Sequence, residues 1–327
     1  MKARYSHALR LADTKALTRE QWLQVRQSGI GSSDAAVAIG LSPYKSPLSL
    51  WLEKTGRRPA PDLANNEAVF WGTTLEPVVA YVYAQRTKLK MRRVNAVLQH
   101  PEHPFMLANL DREVLGHPDG VGTLEIKTAG YHSAPQWEQG TPLAYQCQVL
   151  HQLAVTGHAW ADVAVLIAGR DFRIYRVNRD DDKIADLIQR ETAFWQHVVN
   201  DTQPEPDGSE DAGQALQALY PEDKAPVLDL TGSPEMNNLF FHFLTAKEKK
   251  EEAEAREARL KQQLQAALGE AGGAVFQEGQ ISWKRSRDRV VPDMEKLSNN
   301  HPEWLQQCSK TVPGSRRFTV QLQRSKS

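Results

Sequence analysis

The chain has 327 residues and a formal net charge of zero, with 40 Lys and Arg against 40 Asp and Glu, a length that allows one sizeable core and a smaller second domain. Zero net charge excludes a global basic excess as the means of holding a polyanion, so a nucleic-acid partner would need a local basic surface or a bound metal. No apolar run approaches the ~18 residues of a spanning helix, residues 1–6 lack the apolar core of a signal peptide, and the two cysteines, Cys147 and Cys308, are too few for a disulfide framework or a four-cysteine cluster, which points to the reducing cytoplasm and away from a membrane.

Thr18 caps an amphipathic helix over 19–26 that ends on Arg26. Gly29-Ile30-Gly31-Ser32-Ser33-Asp34 then makes a glycine-containing turn into a helix beginning at Ala35. Free backbone N–H groups and hydroxyls at such a start suit a phosphate, and Arg26 is close in sequence; ordinary N-capping by Ser33 or Asp34 explains the same residues. Ser46 caps the next helix, with Pro47 at its first position and Gly56 as its stop. The spacing of Leu48, Trp51, Leu52 and Thr55 places Trp51 in the core. A third helix is expected to start near Gly72-Thr73-Thr74, where Pro77 would fall in the first turn and cost no intrahelical bond. Glu76, in that same turn, reads as a favourable partner of the helix dipole.

The residues with the clearest chemistry follow. Asp111 closes the apolar run 105–110, a turn comes at Gly116-His117-Pro118-Asp119-Gly120, and a second strand runs Thr123-Leu124-Glu125-Ile126-Lys127-Thr128. Residues two apart on a strand share a face, so Glu125 and Lys127 point one way while Leu124 and Ile126 point the other. Two carboxylates converging on one spot repel unless a cation lies between them, and a hard divalent ion with oxygen ligands is the usual solution. A lysine beside that ion can orient or help deprotonate a water, which is the equipment for metal-assisted hydrolysis of a phosphodiester. The same spacing at Glu222/Lys224 and Glu248/Lys250 lacks the strand pattern and the neighbouring aspartate, and fits a linker and a solvated helix instead. A surface hairpin with paired charges would also present Glu125 and Lys127.

A helix over 142–156 ends at Gly157 and puts Gln148 and Gln152 on one face, a stripe that reads most simply as surface. A hairpin over 161–168 and 172–177 and a helix over about 180–199 complete a mixed α/β layer structure. The expected divisions are a first domain at 1–200, an acidic Pro/Gly linker at 201–233, a charged helix at 234–271 and a small basic β-rich domain at 272–327 with a last strand at 316–320. From Ala274 onward ten Lys and Arg stand against five Asp and Glu, beside Trp283 and Phe318. That mixture suits a nucleic-acid backbone and stacked bases, or a docking domain with the two aromatics as its own core.

Taken together, Gly31-Ser32-Ser33-Asp34, Leu41-Ser42-Pro43-Tyr44-Lys45, Trp51-Leu52-Glu53-Lys54-Thr55-Gly56, Gly72-Thr73-Thr74-Leu75-Glu76-Pro77, Leu124-Glu125-Ile126-Lys127-Thr128 and the helix from Gln148 to Gly157 resemble the YqaJ-type viral recombinase family over about residues 15–200. These are phage and prophage exonucleases similar to lambda exonuclease, within the PD-(D/E)XK nuclease superfamily. The resemblance implies an α/β, restriction-endonuclease-like core, a mixed central sheet flanked by helices. It implies a magnesium-dependent 5′-to-3′ exonuclease acting on double-stranded DNA ends, with Mn2+ able to replace Mg2+. The 3′ single strands it leaves would pass to a single-strand annealing protein, and the enzyme would be a homo-oligomeric ring, usually a trimer. Residue by residue, the resemblance implies Asp111 and Glu125 as metal-binding carboxylates, the backbone carbonyl of Ile126 as a further ligand and Glu76 as the helix-borne acid of the same site. Lys127 would position or activate the attacking water, Gln148 would help place it, and Arg26 with Ser32 and Ser33 would hold the terminal 5′ phosphate. The rivals are a structure-specific endonuclease of the same superfamily and a catalytically dead DNA-binding recombination scaffold. The scaffold predicts a missing acid or lysine, whereas Glu76, Asp111, Glu125, Lys127 and Gln148 are all present.

Overall fold

A computed structural model describes residues 7–59, 65–312 and 314–322, which fall into two compact units, Met1–Pro221 and Glu222–Ser327. The first unit opens with β1 (Leu9–Ala12), α1 (Arg19–Gln27), β2 (Ile30–Gly31), a single 3-10 turn at Ser32–Asp34, and the short α2 (Ala35–Ala38). It continues through α3 (Pro47–Lys54), α4 (Glu67–Thr87), β3 (Lys90–Arg92), β4 (Val97–Gln99), β5 (Met106–Ala108), β6 (Arg112–His117) and β7 (Gly120–Ala129). A 3-10 segment (Tyr131–Trp137), α5 (Leu143–Thr156), β8 (Trp160–Ile167), β9 (Asp171–Asn178), α6 (Asp181–Val199) and α7 (Glu210–Leu219) complete it.

The central sheet has five strands in the order β3-β6-β7-β8-β9. β6 and β7 form an antiparallel hairpin, whereas β7 and β8 run parallel with Glu125 beside Val163 and Lys127 beside Val165. Parallel neighbours cannot be joined by a tight turn, so the chain must cross over one face of the sheet. That crossover is α5. Alternation along β7 then divides the faces: Leu124 and Ile126 pack with Val79, Ala80 and Tyr83 of α4, and Val163 and Val165 of β8 pack with Val149 and Leu153 of α5. Glu125 and Lys127 are left on the α5 side. The expected mixed sheet flanked by helices is therefore what this sequence forms, and no helix among the described residues is long and apolar enough to cross a membrane.

The structure departs from the sequence reading in four places. First, α4 begins at Glu67, not near Gly72, because the Asn66 side chain accepts the N–H of Val69 at 3.1 Å and caps the helix earlier. Pro77 is consequently interior, where its ring removes a ladder bond, and Glu76 sits mid-helix and not in a first turn. Second, the apolar run before Asp111 is a strand, as expected, but β5 pairs with β4 and β2 in a small separate sheet β1-β4-β5-β2 and not with β7, whose hairpin partner is β6; the strands of this small sheet are two to four residues long, too short for a periodicity to emerge. Third, the expected linker 201–233 contains α7, capped by Ser209, whose Ala215 is fully buried with Leu48, Leu50 and Phe194. The first unit accordingly extends to Pro221.

The fourth departure concerns the second unit. It holds α8 (Pro234–Leu268), the two-stranded hairpin β10 (Gly273–Phe276) and β11 (Gly279–Ser282), α9 (Met294–Asn300) and α10 (Pro302–Cys308). Residues 316–320 form no strand, so the unit is not β-rich. Asp293 as a cap and Pro302 in a first turn start two short helices inside the stretch expected to be β-rich.

Asp211 ties α7 to the core: its Oδ2 accepts both the N–H and the hydroxyl of Ser46, each at 2.7 Å, at the start of α3. Asp211→Ala is expected to lower the unfolding free energy by about 1 kcal/mol, measured as a lower urea midpoint with an unchanged slope.

Candidate active site

Asp111 lies between β5 and β6, and Glu125, Ile126 and Lys127 lie on β7. The N–H of Ile126 donates to Oδ2 of Asp111 at 2.8 Å, which pins the first acid against the strand that carries the second. Glu125 is only 3% exposed. Its Oε1 accepts from Nζ of Lys127 at 2.7 Å and from Nε2 of Gln148 at 2.6 Å, and its Oε2 accepts from Nε2 of Gln152 at 2.7 Å. Lys127 also donates to Oε1 of Gln148 at 3.0 Å, closing a three-membered ring of side chains, and lies 4.9 Å from the Tyr145 ring centre.

The electrostatics of this pair are those of two acids held close together out of water. Burial, together with the charge of Glu125, pushes the Asp111 carboxyl up to about 8, against the opposing pull of the Ile126 N–H and of Lys127. Burial works against the Lys127 charge, but Glu125 and Asp111 outweigh it and the ammonium is held above its ordinary range. A divalent ion removes the repulsion that loads a proton onto Asp111. Two carboxylates are a donor set that suits a hard ion such as Mg2+ or Mn2+.

Glu76 does not join that pair. Its Oε1 is taken by Nη1 of Arg112 at 2.6 Å, and the same guanidinium donates to the carbonyl of Asp111. Among the described residues no three His, Cys, Asp or Glu side chains converge as a metal site. Glu76 is near enough to raise the Asp111 proton affinity and is latched by Arg112.

The second cluster forms around Asp34. Arg26 donates to Oγ of Ser33 at 3.1 Å and to Oδ2 of Asp34 at 3.0 Å, and Lys54 donates to the same Oδ2 at 2.9 Å. Ser32 is buried beside them. The helix after Ser33 is only four residues long, and neither Ser33 nor Asp34 caps it through a side-chain bond. The helix dipole therefore offers an anion little at Ser33, and what the cluster presents there is the Arg26 guanidinium and the hydroxyl. Burial raises the Asp34 carboxyl, but Lys54, Arg26 and Lys45 together drive it far below the carboxylate range. A cleft of about 360 Å³ runs from Ser33 past Tyr44 to Tyr145 and Gln148, joining the two clusters.

Of the residues expected from the sequence, the structure brings Asp111, Glu125, Lys127 and Gln148 together in one cluster and Arg26 and Ser33 in a second; Gln152, Arg112 and Lys54, to which the sequence reading gave no role, join them. Gln152 had a signal in its four-residue spacing from Gln148, which was taken for a surface stripe; both glutamines are buried.

Residues 21–159 match the YqaJ-like viral recombinase domain. The uncharacterized protein YqaJ of Bacillus subtilis (strain 168) is 33% identical over 315 residues, which is 95% of this chain and 96% of that protein. The chain belongs to the YqaJ-like viral recombinase family. Among solved structures, an alkaline exonuclease (LHK-Exo) from Laribacter hongkongensis is similar at a TM-score of 0.46 and 22% identity, covering 56% of this chain and 94% of that one. A phage related exonuclease from Haemophilus somnus 129PT gives a TM-score of 0.36 at 11% identity, covering 55% of this chain and 99% of that one.

Lys54, with a side chain 5% exposed, is half of a buried ion pair, and removing one partner of such a pair is strongly destabilising. Lys54→Met is expected to cost about 3 kcal/mol near neutral pH. Because Asp34 has a depressed proton affinity in the fold, its contribution is present above the ordinary carboxylate value and fades as pH falls. The gap in stability between the wild type and Lys54→Met should therefore narrow below about pH 4, as followed by urea unfolding at a series of pH values.

Proposed function

We propose that this protein is a divalent-metal-dependent deoxyribonuclease that degrades the 5′ strand of double-stranded DNA from an end. The observation that carries the reading is the pairing of Glu125 and Lys127 on one face of β7, with Gln148 bridging the acid and the amine and Asp111 held to the strand by the Ile126 N–H between them. Membership of the viral recombinase family supports a role in DNA recombination.

In this reading Asp111, Glu125 and the carbonyl of Ile126 hold Mg2+, or Mn2+ in its place, with Glu76 behind them. When bound, the ion supplies Lewis-acid polarisation of the scissile phosphate and a water acidic enough to attack at neutral pH. Lys127 acts as an ammonium: the charge that Glu125 and Asp111 hold on it suits it to orient the attacking water and to offset charge building on the phosphate, more than to accept a proton. Gln148 keeps Lys127 aimed, since its Oε1 accepts from that amine while its Nε2 holds Glu125. Arg26 and Ser33 bind the terminal 5′ phosphate, and the cleft past Tyr44 and Tyr145 takes the nucleotide between the two clusters. The products are 3′ single-stranded tails for a single-strand annealing protein in the cytoplasm. A homo-oligomeric ring around the duplex, a trimer, would let a neutral chain line one inner surface with its basic residues.

Two experiments test the reading. Asp111→Asn and Glu125→Gln are each expected to abolish cleavage of a 5′-phosphorylated linear duplex in Mg2+ while retaining DNA binding, because the lost negative charge removes metal ligation but lessens repulsion of phosphate. The wild type should spare a covalently closed circle; cutting of the circle would make the enzyme an endonuclease, and full residual activity in either variant would remove the assignment. For the phosphate anchor, Arg26→Ala is expected to lower the preference for 5′-phosphate over 5′-hydroxyl ends by about 10-fold, the value of one charge-assisted contact. Equal wild-type rates on both kinds of end would leave Arg26 and Ser33 with a structural role only.

A further inference from the structure

Gln152 has no part in the mechanism above, yet it is among the most constrained polar side chains of the site. It is 0% exposed and lies one helical turn beyond Gln148 on α5. Its Nε2 donates to Oε2 of Glu125 at 2.7 Å and makes a longer contact, 3.5 Å, to the carbonyl of Asn109. Both neighbours can only accept, so the amide must turn its nitrogen toward them and its oxygen away. The consequence is visible: Oε1 of Gln152 is buried with no hydrogen-bond partner. An unsatisfied buried acceptor costs free energy, and the fold accepts that cost to keep this donor on Glu125.

We propose that Gln152 is a positioning residue for divalent-cation binding, holding Glu125 in its ligating orientation and fixing the spacing between Glu125 and the segment that leads into Asp111. The inference rests on the nuclease reading of the site. Lys127 and Gln148 both act on Oε1 of Glu125, whereas Oε2 is held by Gln152. The last torsion of a glutamate is broad and soft, so a donor on one oxygen alone leaves the carboxylate plane free to turn. A donor on each oxygen fixes it. The contact to Asn109 lies two residues before Asp111, so one amide spans both acid-bearing segments.

The helix presenting Gln152 is itself held in register. His151 places Nδ1 2.8 Å from Oε1 of Glu191 and Nε2 3.0 Å from the carbonyl of Leu107, and both His151 and Glu191 are fully buried. The hydroxyl of Thr156 donates to the carbonyl of Gln152 at 2.7 Å. α5 is thereby tied to α6 on one side and to β5, the strand before Asp111, on the other. Groups that orient metal-ligating carboxylates typically change metal affinity by about 10- to 100-fold when removed.

The test is calorimetric titration of Mn2+ into the DNA-free full chain, for the wild type, Gln152→Met and Gln152→Asn. Methionine keeps the volume without the donor; asparagine keeps the amide but cannot reach. Both are expected to bind Mn2+ about 10-fold or more weakly, and their cleavage rates should recover toward wild type as Mn2+ is raised. A merely structural glutamine would change the melting temperature of the metal-free protein without changing its Mn2+ affinity. Unchanged Mn2+ affinity in either folded variant would overturn the inference and leave the nuclease reading intact. Mn2+ binding absent from the wild type, or surviving undiminished in Asp111→Asn, would overturn both.

Discussion

Burying a carboxylate is costly unless donors replace the water it loses, and Glu125, at 3% exposure, is a place where this protein accepts that cost beside a second acid. Three side-chain donors meet the requirement: Lys127 from the same strand, and Gln148 and Gln152 from α5. No single element could supply them. A strand offers a neighbour two residues away on its own face, and a helix offers two residues four apart on one face. The site exists where those two periodicities meet, which is why the position of α5 over β7 matters more than any one residue on either.

That position follows from topology. Because β7 and β8 are parallel, the chain between them has to cross the sheet, and the crossover helix lies over the strand pair it connects. Opposite it, α4 packs Val79, Ala80 and Tyr83 against Leu124 and Ile126. The apolar residues of β7 thus fasten the strand from behind while its polar residues face α5. A one-residue slip in β7 would exchange the two sets, burying Glu125 and Lys127 among the α4 side chains. The hydrophobic contacts that stabilise the sheet are therefore the same ones that hold the site in register.

Much of this arrangement was legible in the amino-acid order. Alternation gave the shared face of Glu125 and Lys127, the spacing from Gln148 to Gly157 gave the crossover helix, and the order of motifs gave the family. Other parts had no local signal. The spacing of Gln148 and Gln152 is visible, but burial is a property of what packs over a face, and polar residues at four-residue spacing are ordinarily solvated. α7 was hidden because its stretch is rich in Asp, Glu, Gly and Pro; only its small buried face, Ala212 and Ala215, and the reach of Asp211 to Ser46 make it part of the core. The early start of α4 was hidden by Gly72 and Pro77, each unfavourable inside a helix, yet the Asn66 cap and packing on the sheet outweigh them.

The state of Glu76 has a physical reason within the same account. Asp111 already carries a raised proton affinity from burial and from Glu125, and Glu76 adds to it from nearby. A third bare carboxylate converging on the same point would increase that repulsion further. Arg112 prevents this by taking the Glu76 carboxylate while also donating to the Asp111 carbonyl, and its side chain, only 9% exposed, is itself well shielded from water. The guanidinium therefore does two things at once: it compensates the negative charge of Glu76, and it braces the backbone of the residue that carries the first acid. Glu76 thus acts on Asp111 through the field it exerts and through the position of Arg112.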